Sequence, residues 1–194
     1  MVDLPEQRDV YPIVEHDYDS VNLDFHDSYN STVEFAQQIE SFSGKLAEDA
    51  SVLVVGGSVA ECLYFSDRGF AVTNLDLSDR MVSHVAKEAR VPSLRGNVLT
   101  FSEGRYDGVW ACRSLIHLHP SDFAKGMQAI KGLLTANGLF GCIIFTAPEG
   151  VLQEIAPERN AESEEALYYR VLYSEQAIRE NFISAGFRIV KRDL

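Results

Sequence analysis

Hydrophobic residues in this chain fall in short runs that alternate with stretches of helical periodicity. Ser51-Val52-Leu53-Val54-Val55 is a β-branched run closed by Gly56-Gly57, the pattern of a strand buried on both faces. Residues 70–75, 106–111 and 139–145 repeat that character, and the last is the most apolar segment of the chain. Between the runs, residues 60–68, 78–90 and 122–134 set apolar side chains on one helical face, with Met81, Val82, Val85 and Ala89 the clearest set. Ser78 is a start signal, and Gly69 and Asn137-Gly138 are stop signals. A further helix is expected over 31–46, carrying Val33, Phe35, Ala36, Ile39, Phe42 and Leu46 and capped by Ser31 or Thr32. Pro92 leads into a weak strand near 93–95, and a helix over 174–185 stops at Gly186 before a last predicted strand, Phe187-Arg188-Ile189-Val190.

Strands alternating with helices predict an α/β fold: a three-layer α-β-α sandwich around a mostly parallel, Rossmann-like sheet. Residues 31–194 make this domain, preceded by an arm at 1–30 that reads as irregular, and residues 148–165 read as an acidic, solvated loop containing Glu162, Glu164 and Glu165. In such sheets ligands bind beyond the carboxyl ends of the strands, so the chemistry belongs to the turns that follow them.

Charge narrows the ligand. Seventeen basic residues against 29 acidic ones give a net charge of −12, which opposes nucleic acids and anionic membranes and favours a small-molecule substrate. No apolar run approaches the about 20 residues that span a bilayer, and Met1-Val2-Asp3-Leu4-Pro5-Glu6 lacks the features of a secretory signal. A cytoplasmic location is expected. Cys62, Cys112 and Cys142 have no C-x-x-C spacing and read as small buried hydrophobes, so no metal site is expected.

The turn Gly56-Gly57-Ser58-Val59-Ala60 allows backbone to approach a ligand and opens a helix whose free N–H groups favour an anion. Asp76, twenty residues beyond Gly56 at the end of the second strand, is placed to accept both hydroxyls of a ribose. With these two features the chain resembles class I S-adenosylmethionine-dependent methyltransferases. The stretch 52–60 is similar to their glycine motif, 70–78 to their second strand, and Gly96-Asn97-Val98 to their adenine-contacting turn. Tyr106-Asp107-Gly108-Val109-Trp110-Ala111-Cys112-Arg113-Ser114-Leu115-Ile116-His117-Leu118 resembles their fourth strand and its loop. Residues 133–140 and 173–187 resemble a later helix-to-strand turn and the last helix with its strand. The resemblance implies S-adenosylmethionine as cofactor, held by Gly56, Gly57, Ser58, Asp76, Leu77, Asn97, Val98 and Cys112, with the Asn97 side-chain oxygen accepting from the adenine amino group.

The chain also departs from that family. Val54 stands where an acidic residue usually steadies the loop, and Ser58 and Ala60 replace two glycines, adding a Cβ that a positive φ resists by roughly 1 kcal/mol. Family members usually follow the strand at 187–190 with an antiparallel partner. Its absence implies either further chain or an edge covered by a second copy, another partner or the arm.

On the acceptor side, His117, Arg113 and Tyr173 are the candidates. His117 is a base near neutral pH or a histidine packed under its loop. Arg113 grips an acidic group, fills a vacated pocket or bridges an interface. Tyr168, Tyr169 and Tyr173 lie where the family builds substrate lids, and Tyr18 and Tyr29 are placed to close over the cofactor. Three readings result: a methyltransferase acting on a small molecule, a non-catalytic partner subunit with the same fold, or an enzyme repurposed for a different reaction.

Overall fold

The computed structural model describes residues 7–23, 26–27, 35–147, 153–155, 158–159 and 167–191. Five strands, β1 (Ser51–Val55), β2 (Ala71–Asp76), β3 (Ser93–Arg95), β4 (Tyr106–Cys112) and β5 (Leu134–Ile143), form a parallel sheet in the order β3-β2-β1-β4-β5. The order reverses at β1, so the crevice of an open α/β sheet opens between the turns after β1 and β4.

Strand alternation divides the core in two. Leu53 and Val55 of β1, with Val109 and Ala111 of β4, face one cluster that includes Met127 and Ile130 of helix α5 (Phe123–Leu133). Val52, Val54 and Trp110 face the other, built with α2 (Ala36–Ser43), α3 (Val59–Ser66) and α4 (Asp79–Glu88). The result is the expected three-layer sandwich.

Five expectations need correction. The arm is not irregular: α1 is a helix from Gln7 to Ser20, with Val10, Val14 and Val21 buried. Its polar residues dilute the periodicity because they dock on the domain, as described below. The second helix is shorter than expected, Ala36–Ser43, and its predicted caps Ser31 and Thr32 lie outside the described residues. Residues 134–138 belong to β5, which bulges against β4 between Tyr106 and Gly108, so the Asn137-Gly138 stop signal is an irregularity inside a strand. Residues 187–190 form no strand; beyond the turn at Gly186 no ladder partner stands beside them among the described residues, and Ile189 and Val190 are exposed.

Within the segment expected to be a loop, 148–165, lie two short strands instead: β6 (Gln153–Ile155) pairs antiparallel with β9 (Val171–Tyr173), and β7 (Glu158–Arg159) with β8 (Leu167–Tyr168), since their ladder partners come from the segment that follows. Helix α6 (Glu175–Ser184) follows, and Phe182 and Phe187 stack on Phe140 of β5. Glu162, Glu164 and Glu165 lie outside the described residues. Among the described residues no helix is long and apolar enough to cross a membrane, and no His, Cys, Asp and Glu cluster is suited to a metal ion.

Candidate functional site: a glycine turn beneath an N-terminal helix

Gly56 turns the chain at φ +62°, and a Cβ there would lie 2.5 Å from Cβ of Ser114 in the loop after β4. Both backbone and space require glycine. Gly57 is glycine for a different reason: its Cβ would meet Val54 Cγ1 at 2.4 Å. The Gly57 N–H donates to Asn74 Oδ1 (3.2 Å), and Asn74 Nδ2 donates to Ser93 Oγ (2.8 Å). Asn74 is fully buried and is the register partner of Val54. The support that an acid at 54 would supply therefore comes from the neighbouring strand.

The expected strain at Ser58 does not arise. Its φ is −78°, and it caps α3 in a capping box: Ser58 Oγ accepts from the Glu61 N–H while Glu61 Oε2 accepts from the Ser58 N–H. Glu61 Oε1 also accepts from Trp110 Nε1 at 2.7 Å. Burial pushes the Glu61 carboxyl above its ordinary range, against those hydrogen bonds. Ala60 sits inside α3, where it is a good helix former.

Asp76 closes β2 at the crevice. Its Oδ1 accepts from the Ser78 N–H (2.8 Å), and burial raises its pKa to about 6. Leu77 packs against the core and Val98 is buried in it. Asn97 Oδ1 already accepts from the Leu99 N–H (2.9 Å), so only its second lone pair is left for an adenine amino group. Cys112 is half-buried at the end of β4, and burial pushes its thiol up, away from thiolate chemistry. Ser114 Oγ is buried beside Gly56 with no hydrogen-bond partner among the described residues. A carboxylate at the end of β2, a glycine turn and an orphaned hydroxyl against that turn are a set that fits a nucleoside carrying an amino-acid tail.

Of the residues expected to face an acceptor, His117 hydrogen-bonds through both ring nitrogens: Nδ1 lies 2.6 Å from the Tyr169 carbonyl oxygen and Nε2 lies 2.9 Å from the Tyr18 hydroxyl. A carbonyl only accepts, so Nδ1 carries the proton and Tyr18 donates to Nε2. Burial pushes the His117 pKa down and keeps the ring neutral. Arg113 has φ +60°, its N–H donates to Ile143 O, and its guanidinium lies over the Phe35 ring at 5.2 Å. Its charge also reaches Glu61 and His26, so it belongs to the wall beside the glycine turn rather than to an outer surface. Tyr173 is not brought to this group: it is buried, its hydroxyl donates to Leu118 O (2.9 Å) and its ring packs on Phe123.

Helix α1 crosses over the carboxyl ends of the strands. Asp19 accepts from Ser78 Oγ (2.5 Å), Glu15 pairs with Arg95, Tyr18 meets His117, and the Tyr11 hydroxyl donates to Asp122 (2.6 Å). Beyond it, Asp27 meets His84 Nε2 at 2.8 Å. Tyr29 lies outside the described residues. Sequence reading missed Asn74, Glu61 and most of these docking residues. Ser58-Val59-Ala60-Glu61 is a readable S-x-x-E capping signature, and a lone Asn inside an apolar strand is a readable oddity, but nothing in the spacing pairs α1 with its partners.

Residues 53–142 match the family model described as a methyltransferase domain. Among solved structures, the chain is similar to Burkholderia thailandensis 1,6-didemethyltoxoflavin-N1-methyltransferase with bound 1,6-didemethyltoxoflavin and S-adenosylhomocysteine, at 20% identity and TM-score 0.78, covering 98% of this chain and 84% of that one. It is also similar to the glycopeptide N-methyltransferase MtfA complexed with sinefungin (16% identity, TM-score 0.68, covering 84% and 86%). A third similar structure is the [4+2]-cyclase SpnF (19%, TM-score 0.60, covering 81% and 57%). A search of curated proteins finds no match to this sequence. The methyltransferase-domain match at residues 53–142 and these structural likenesses together give the chain the fold of class I methyltransferases.

Proposed function

We propose that this protein binds S-adenosylmethionine in the crevice at Gly56 and Asp76 and transfers its methyl group to a small-molecule acceptor held beneath α1. The carrying observation is the intact turn: Gly56 at φ +62°, Gly57 pinned by Asn74, and the Asp76 carboxylate at the end of the adjacent strand. Asp76 accepts the ribose hydroxyls, the backbone at Asn97 and Val98 borders the base, and Gly56, Cys112 and Ser114 face the amino-acid tail. When bound, the cofactor supplies a methyl group already activated on a sulfonium, so the chain's task is alignment.

His117 is the basic atom of the acceptor side. Its Nδ1–H is fixed on the Tyr169 carbonyl, which leaves the Nε2 lone pair pointed at Tyr18 and able to take a proton from an acceptor group that enters there. Helix α1 excludes water from the same space. The similar structures include two enzymes named as N-methyltransferases of small or peptide-sized molecules, which supports a small acceptor. The departures at Val54 and Ser58 and the missing last strand favoured a non-catalytic subunit; the roles of Asn74 and Glu61 answer the first two.

Thermal shift with S-adenosylhomocysteine tests the reading. Binding raises Tm by linkage, and Asp76→Ala abolishes the rise. No shift at millimolar ligand refutes the proposal, and binding without methyl transfer to any acceptor directs attention to a repurposed reaction such as that of the cyclase neighbour.

A further inference from the structure

Asp17 lies in the middle of the buried stripe of α1, between Val10, Val14 and Val21 at helical spacing. It is 7% exposed, and its Oδ2 has no hydrogen-bond partner among the described residues. The polar neighbours that dock α1 are all engaged: Tyr11 with Asp122, Glu15 with Arg95, Tyr18 with His117 and Asp19 with Ser78. A carboxylate kept among valines with one oxygen unpartnered costs folding free energy, which on α1 only the electrostatic influence of His16 offsets. Helix α1 packs on α4, on β8 and on the turn Leu115–His117, and Tyr18, next to Asp17, meets His117, so the helix borders the side of the crevice that His117 occupies. Burial raises its pKa to about 6, so it is still largely ionised at neutral pH.

We propose that Asp17 is the acceptor-recognition residue of this site and that it selects a small molecule bearing a protonated or N–H-donating nitrogen, such as an amine, an amidine-like group or an N–H heterocycle. Such a group brings both things the carboxylate lacks, a hydrogen to its unpartnered oxygen and a positive or partially positive charge beside it. An ether or carbonyl acceptor brings neither and meets the carboxylate lone pair to lone pair. The assignment rests on the methyltransferase reading for the word acceptor, while the nitrogen preference stands on Asp17 alone.

The test compares wild type with Asp17→Asn, which keeps shape and removes charge, and Asp17→Val, which continues the valine stripe. Without ligand, both variants are expected to melt above wild type, because the substitution removes a buried carboxylate with an unpartnered oxygen. 2-Aminobenzimidazole, a forked N–H cation near neutral pH, is titrated with 2-methylbenzoxazole as its counterpart without N–H, by ligand-observed NMR. The N–H probe is expected to bind wild type at least tenfold more tightly than either variant, with the benzoxazole indifferent to the substitutions. A fall in ligand-free Tm in both variants makes Asp17 a structural residue and overturns the proposal. So does equal affinity of the N–H probe for wild type and Asp17→Asn, or its failure to bind at all. A tenfold loss of S-adenosylhomocysteine affinity in Asp17→Asn also overturns it, because the carboxylate then serves the cofactor. Failure of wild type to bind S-adenosylhomocysteine refutes the methyltransferase reading by a separate readout.

Discussion

Replacing Asn74 with leucine of similar size tests whether one amide holds the cofactor turn. The substitution leaves the Gly57 N–H without its acceptor at 3.2 Å and takes the donor at 2.8 Å away from Ser93 Oγ. Asn74 is fully buried, so water cannot replace it at Gly57, and an orphaned buried N–H costs about 1–3 kcal/mol. Ser93 is half-buried and recovers most of its loss by solvation. The leucine gains apolar burial beside Val54, about 1 kcal/mol after its own rotamer entropy. The net expectation is a loss of up to about 2 kcal/mol, or up to roughly 8 °C in Tm for a chain of this size. Cofactor affinity should suffer more than stability, because Gly57 follows the positive-φ Gly56 and loses the side-chain acceptor of its N–H. Isothermal titration with S-adenosylhomocysteine is expected to show at least a tenfold weaker Kd. Adding Val54→Asp, which restores the usual acid on the register partner of position 74, is expected to recover part of that loss. If Asn74→Leu binds S-adenosylhomocysteine as tightly as wild type, the turn does not depend on this amide and the compensation argument fails.

Other expectations follow from the same geometry. Gly56→Ala should destabilise by about 2 kcal/mol or more, from positive φ plus the clash with Ser114 Cβ, and Ser114→Gly should relieve only the clash, as urea unfolding of the two single variants and the double variant will show. Asp76 has its folded pKa raised to about 6, so S-adenosylhomocysteine affinity should be flat above neutrality and fall by up to about tenfold per pH unit below about 6; Asp76→Asn should bind weakly with no such slope. His117 has its folded pKa pushed below its ordinary 6.5, so it contributes stability above that pH that is lost as pH falls through the folded value; chemical denaturation of His117→Asn should show a shallower acid limb than wild type. Tyr18→Phe should leave S-adenosylhomocysteine affinity within about twofold while lowering kcat on a found acceptor by roughly tenfold or more, because only the Nε2 partner is removed.

Periodicity made the sheet legible. β1, β2 and β4 sit within a residue or two of their expected limits, since each is an apolar run bounded by glycine, a cap or a polar turn, and burial on both faces leaves no competing pattern. It failed where tertiary contact overrides local preference. In helix α1, Tyr11, Glu15, Tyr18 and Asp19 dock on residues 59 to 111 positions further along the chain, so its sequence reads as a polar arm. Phe187-Arg188-Ile189-Val190 has strand composition but no ladder to join among the described residues, and composition alone does not make a strand.

The site shows a second limit. Position-by-position comparison with a family motif treats each departure as a loss, whereas hydrogen-bond satisfaction is a property of the whole turn. Val54 cannot accept the Gly57 N–H, yet Asn74 directly across the β1–β2 pair can, because register partners on a parallel pair project to the same face of the sheet. Ser58 removes a glycine, yet its hydroxyl and Glu61 satisfy donors at the start of α3 that a glycine would leave to water. What decides whether such a turn still works is which buried polar atoms lack a partner. By that measure the motif residues of the β1 turn are satisfied, and the buried atoms left over include Ser114 Oγ beside Gly56, Asp17 Oδ2 on α1 and the Tyr169 hydroxyl.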